Sequence, residues 1–160
     1  MIFRKEVIMI YHVDKVSWKQ TQGQLRQIRE RVFVCELHLP KQVEFDQHDK
    51  TADHVLIRDE NDQAVGTGRL CSDGLISRIA IIKDHRNRQA YQSLIGYLAD
   101  LAQQKGLEDV FVQCILDEVP TFIKSGFSKQ GSVFMEAGIP RQRLKCPASM
   151  INSEPFTMLH

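Results

Sequence analysis

Arg78-Ile79-Ala80-Ile81-Ile82-Lys83-Asp84-His85-Arg86-Asn87-Arg88-Gln89-Ala90-Tyr91-Gln92-Ser93-Leu94, continuing to Ala102, is the stretch on which the fold turns. Its opening run of apolar, β-branched residues predicts a buried strand. Its close places Tyr91, Leu94, Ile95, Leu98, Leu101 and Ala102 at the three-and-four spacing of a helix with one buried face. Between them lies a short turn carrying His85, Arg86, Asn87 and Arg88. A strand, a basic turn and a helix aim unpaired backbone N–H groups at an anion, because the first turn of a helix has donors without internal acceptors. The same pattern also suits an ordinary connection with solvated arginines.

Working outward, 160 residues suit one domain, and 42% hydrophobic with 26% charged residues is an ordinary globular balance. We read 1–160 as a single domain, with a core over 1–146 and a loosely held tail over 147–160. A net charge of +1 offers no field for nucleic acid or a membrane surface. No apolar run approaches the roughly 20 residues needed to span a bilayer, and the N-terminus lacks the pattern of a signal peptide. Cys35, Cys71, Cys114 and Cys146 form no C-x-x-C pair. Three stand in apolar surroundings and read as reduced, buried thiols of a cytoplasmic protein.

In chain order, residues 6–14 predict a first strand. Ser17 or Thr21 could cap a helix whose apolar stripe is Leu25, Ile28, Val32, Phe33 and Cys35, ended by Pro40. Residues 42–53 are acidic and loop-like, and their Asp and His spacing fits no dedicated zinc or calcium pattern, so no metal is expected. Strands are predicted at 54–58, 64–71 and 75–82, joined by tight turns. A long helix follows to about Gln104, closed by Lys105-Gly106. The apolar run 109–115 predicts a strand covered on both faces. A short helix over 116–125, a strand over 127–136 and another over 141–146 complete the chain. The sum is an α/β (α+β) fold with a mixed, mostly antiparallel central sheet of six to seven strands and three to four flanking helices.

The basic turn resembles the coenzyme A signature of the GNAT acetyltransferases, an arginine or glutamine followed by x-x-G-x-G or A. Arg86 takes the basic position, whereas Gln89 and Tyr91 stand where the family has glycines. Other stretches resemble the ElaA/YjcF-like branch of that family: Arg31 to Glu36, Glu44-Phe45-Asp46 with Asp49 and His54, Val65 to Leu70, and Gly126-Phe127 followed by Glu136 to Pro140. Two further departures are Phe122, where the family usually has a tyrosine general acid, and Arg141, where the branch has histidine.

The resemblance implies transfer of an acetyl group from acetyl-CoA to the amine of a small molecule, by a slow enzyme. The alternative is a degenerate domain that binds acyl-CoA or a protein partner without turnover. A homodimer is left open; no nucleic acid or membrane partner is implied. Coenzyme binding would fall to Arg86, Asn87, Arg88, Gln89, Ala90, Tyr91 and Gln92, with backbone N–H groups of a splayed strand near Ile79, Ala80 and Ile81 polarising the thioester. Glu36, Glu44 and His54 are the candidate bases. Arg69 and Arg78 either line a cleft for an anionic substrate or face solvent, and Cys114 reads as inert in its apolar strand.

Overall fold

A computed structural model of the chain describes residues 10–39 and 45–156. Strand β1 is His12–Val16 and helix α1 is Trp18–Arg29, whose last turns continue as a π-helix over Glu30–Glu36. A hairpin follows from β2, Asp53–Arg58, to β3, Ala64–Leu70, and the chain turns again into β4, Ile76–Ile81. Helix α2 is Arg88–Gln104, strand β5 is Asp109–Ile115 and helix α3 is Val119–Lys124. Strands β6 (Ser128–Lys129), β7 (Phe134–Glu136) and β8 (Ile139–Pro147) close the fold.

The strands form two four-stranded antiparallel sheets rather than one sheet of six or seven strands. One has the order β1-β2-β3-β4; in the other β8 pairs with β5, β6 and β7. Among the described residues a single parallel bridge, Leu75 to Phe111, joins them. The cause is local to β4. Thr67 pairs with Ala80 and Arg69 with Ser77, so two β4 residues, Arg78 and Ile79, stand opposite the one residue Gly68. Such a bulge bends its strand. Arg78 takes φ 55° to make it, and beyond Leu75 β4 parts from β5.

Helices cover both faces of the first sheet. A Cβ at Gly68 would meet the Leu94 and Leu98 side chains of α2 at 3.3 Å, so glycine lets that helix sit close on β3. The α1 side carries His54, Thr67 and Arg69, and every β3 residue from Val65 to Leu70 is buried. Leu25, Ile28, Val32 and Phe33 are buried as the periodicity predicts.

Several expectations need correction. The first strand spans His12–Val16, displaced from 6–14, of which residues 1–9 lie outside the described part. Ser17 precedes α1 but makes no side-chain capping bond. Cys35 is exposed, because the π-helical turns rotate it off the apolar stripe. The helix ends before Pro40, at a turn where His38 has φ 57°. Strand β5 is covered on one face only, with Val110, Val112 and Cys114 inward; its polar members share the other face. The expected strand over 127–136 breaks at Gly131, φ 75°, and the β7–β8 hairpin turns through Ala137 and Gly138, both at positive φ.

The segment after β8, expected to be loosely held, is packed as far as it is described. Phe156 is fully buried with its ring 5.0 Å from that of Phe122, and the Asn152 amide donates to the Ser125 carbonyl. Phe156→Ala is therefore expected to cost about 3–5 kcal/mol in urea unfolding. A loosely held tail would give a change within about 0.5 kcal/mol.

Candidate active site

Where β4 and β5 part, a cleft opens. Its walls are Leu75 to Ile79 of the β4 side, Val112, Gln113 and Cys114 of β5, and Glu118 and Phe122 at the start of α3. Glu136 and Arg141 border it from the β7–β8 hairpin, and Phe33, Leu37 and Leu39 from the end of the first helix. Among the described residues, the β4 edge from Ile76 to Ile81 that faces β5 has no strand partner, nor has the facing edge of β5 beyond Phe111. Backbone donors along these edges are open to a ligand carbonyl in a half-apolar setting, the arrangement that stabilises charge developing on oxygen. Of the predicted strand positions, Ile79 lines the cleft, while Ala80 and Ile81 are buried side chains.

The basic turn lies at the end of the same strand. Arg86 is held in place: Nε donates to the Ile81 carbonyl at 2.8 Å and Nη2 to Glu36 Oε2 at 2.6 Å. Asn87 caps α2 by accepting from the Ala90 amide at 3.0 Å, which occupies one first-turn donor. The Tyr91 amide bonds to the Asn87 carbonyl. Arg88 and Gln89 thus have the first-turn amides without helical acceptors. Arg88 is exposed and Gln89 half-buried. Tyr91 is fully buried among the core residues, so its side chain points away from the groove in front of the turn. Gln92 Nε2 donates to the Glu154 carbonyl. Of the two missing glycines, only Gln89 keeps a side chain near the anion's approach.

Candidate bases are spread apart. Glu36 is ion-paired to Arg86 and links the first helix to the turn. Glu44 lies outside the described residues. His54 is 1% exposed, with Nε2 donating to the Asp49 carbonyl at 2.8 Å and Nδ1 3.4 Å from Arg29 Nη2. A carbonyl can only accept and a guanidinium can only donate, so His54 is the neutral Nε2–H tautomer. Trp18 stacks on it at 4.8 Å. Burial, reinforced by the Arg29 and Arg69 charges, pushes its pKa down against the pull of Asp49. Both nitrogens are engaged, and none is left to take a substrate proton.

Around His54 lies a buried ionic cluster. Asp49 Oδ1 receives Arg29 at 2.8 Å and Arg69 at 3.0 Å, and Asp46 receives Arg69 at 2.7 Å and Arg78 at 2.9 Å. Arg69 is thus a structural residue, whereas Arg78 reaches from the cluster to the cleft.

Two carboxylates do line the cleft: Glu118, which the sequence does not mark, and Glu136, which it marks only as part of the Glu136 to Pro140 motif with no role assigned. Each lies in a short turn or hairpin with no periodic signal, and only the fold brings them to β5. Cys114 stands among them; burial, with Glu118 adding its negative charge, pushes its thiol up to about 12. It has almost no thiolate at neutral pH and is inert as a nucleophile. Among the described residues, no three His, Cys, Asp or Glu side chains are grouped to hold a metal, and no helix is long and apolar enough to cross a membrane.

With this geometry in view, the comparisons with known proteins are decisive for the family. The model of the acetyltransferase (GNAT) domain matches residues 19–147, and the chain belongs to that family. It is 28% identical to YyaT of Bacillus subtilis (strain 168) over 135 residues, 81% of this chain and 90% of that one. It is also 28% identical to the N-acetyltransferase YjcF of the same organism over 121 residues, 73% and 86% of the two chains. The structure of Escherichia coli ElaA superposes with a TM-score of 0.74 at 20% identity, over 84% of this chain and 99% of ElaA, a likeness of fold.

Two measurements check this electrostatic picture. In the folded protein a thiol reagent at pH 8 is expected to label Cys35 quickly, and buried Cys71, Cys114 and Cys146 only on unfolding. Because His54 binds its proton less readily when folded than the ordinary 6.5, its contribution to stability is full above that pH and declines as pH falls below it. The slope from this one group is at most about 1.4 kcal/mol per pH unit. His54→Gln should lower stability at pH 7.5 yet flatten the urea-midpoint profile between pH 6.5 and 5.5. An unchanged slope would remove His54 from the account.

Proposed function

We propose that this GNAT-family chain transfers an acetyl group from acetyl-CoA to the amine of a small molecule. The observation that carries the reading is the unpaired edge of β4, opened by the Arg78 bulge, leading directly to the first turn of α2. The pyrophosphate would meet the Arg88 and Gln89 amides with the Arg88 charge beside them. The pantetheine arm would lie between β4 and β5, and the thioester carbonyl would accept from the freed β4 backbone. The acceptor nitrogen attacks that carbonyl, a C–N bond forms, and the C–S bond breaks with its electron pair on sulfur.

Glu118 lines the cleft beside β5 and is the acceptor assigned to the amine proton, whereas Glu36 stands outside the cleft lining. Phe122 offers the thiolate no proton, so water must supply it. Losing a general acid costs about 10²- to 10⁴-fold, which predicts a slow enzyme. Four free cysteines support a reducing, cytoplasmic setting. Phe122 and Gln89 also favour a second reading, an acyl-CoA-binding domain without turnover.

A thermal melt separates them. At 100 times its dissociation constant acetyl-CoA should add about 2.7 kcal/mol of stability, and thiol release with a panel of amines should exceed background. A melting shift with no thiol release selects the second reading; no shift at all removes both. Glu118→Gln should lower kcat by about 10²-fold or more while leaving the coenzyme-induced shift intact. Gln89→Gly should tighten coenzyme A binding while lowering stability by up to about 1 kcal/mol, opposite signs that a mere connection would not produce.

A further inference from the structure

The cleft holds charges of both signs. Arg141 stands at the start of β8 with its guanidinium fixed: Nη1 donates to the Gln113 carbonyl at 3.1 Å. Its Nε–H is buried and has no hydrogen-bond partner among the described residues. The nearest anion, Glu136 Oε2, is 3.9 Å away, too far for a hydrogen bond. That Nε is out of reach of a ligand, but the Arg141 side chain is 20% exposed and lines the cleft, so the accessible part of its guanidinium is what an incoming anion can meet. Arg78, bonded to Asp46 and 17% exposed, lines the same cleft and adds positive charge to it. An arginine fork matches a carboxylate or a phosphate, and the apolar walls of this cleft favour the smaller, singly charged carboxylate.

The opposite sign sits close by. Glu118 and Arg141 both act on the Cys114 thiol, one raising and one lowering its pKa, so both lie near that one β5 side chain. Phe33, Leu39 and Val112 supply apolar wall around them. A cleft with a carboxylate, a partly exposed guanidinium and apolar surface between them is complementary to a zwitterion with an apolar side chain.

We infer that the acceptor is an amino acid, its carboxylate bound at Arg141 with Arg78 adding charge, and its amine directed to Glu118. This rests on the acyltransferase reading given above. It assigns Arg141 as the residue that selects the acceptor, at a position where the related branch carries histidine.

The experiment compares leucine, leucinamide and 3-methylbutylamine by calorimetric titration, each with and without saturating coenzyme A. Leucine is expected to bind about 10- to 100-fold more tightly than the two amines lacking the carboxylate. Arg141→Gln should abolish that preference and Arg141→Lys should retain part of it, with coenzyme A affinity unchanged in both. Their melting curves establish that both variants are folded. Equal binding of the three amines, no binding of leucine, or a preference that survives in Arg141→Gln overturns the inference. Coenzyme A binding without leucine selectivity would overturn it alone. Absent coenzyme A binding would overturn the acyltransferase reading, while the titrations without coenzyme still decide whether Arg141 selects a carboxylate.

Discussion

The structure depends on one constraint, the left-handed turn of the backbone at Arg78. An ordinary β4 would continue its ladder onto β5 and leave one closed sheet. The extra residue opposite Gly68 instead bends the strand away, and among the described residues the Leu75–Phe111 bridge is the one backbone pairing between the two sheets. A non-glycine residue in that conformation costs on the order of 1–3 kcal/mol and persists only when its surroundings hold it. Here the holder is Asp46, which receives the Arg78 guanidinium at 2.9 Å and Arg69 at 2.7 Å.

Asp46 is itself held. It caps the short 3-10 turn over Gln47–Lys50, which presents Asp49 to Arg29 of α1 and Arg69 of β3. Helix, loop and sheet are thus tied by charge-assisted bonds that are largely out of water, where an unpaired member would be costly. His54 completes the arrangement as a neutral ring between Trp18 and the Asp49 carbonyl. The cluster's role is to fix the bulge, and through the bulge, the mouth of the cleft.

A second set of contacts fixes the other end of the cleft. Asn87, which caps α2, donates to the Tyr11 hydroxyl at 2.6 Å, and that hydroxyl lies 3.1 Å from His85 Nδ1. Arg86 joins the turn to Glu36 and to the last carbonyl of β4. These bonds give the α2 terminus a defined position relative to the β4 edge. Two backbone features far apart in the sequence can therefore contact one extended ligand.

The sequence by itself determined the element types wherever a period or a turn residue carried the signal. The α2 stripe from Tyr91 to Ala102, the hairpin around Asp62, the glycine after α2 and the β-branched run before the basic turn are all local properties, and each survives in the fold. The order of those elements, with the motif spacing, also determined the family. What only the tertiary structure decided is which polar residues share space. Glu118, Glu136 and Arg141 come from separate short segments without periodicity, and pairing of β8 with β5 and β7 is what gathers them. His54 and Glu36 stood at family-like positions, yet their partners, Arg29 with Asp49 and Arg86, are supplied by distant elements. A residue's chemistry depends on its burial and its neighbours' charge, and neither is a property of the local sequence.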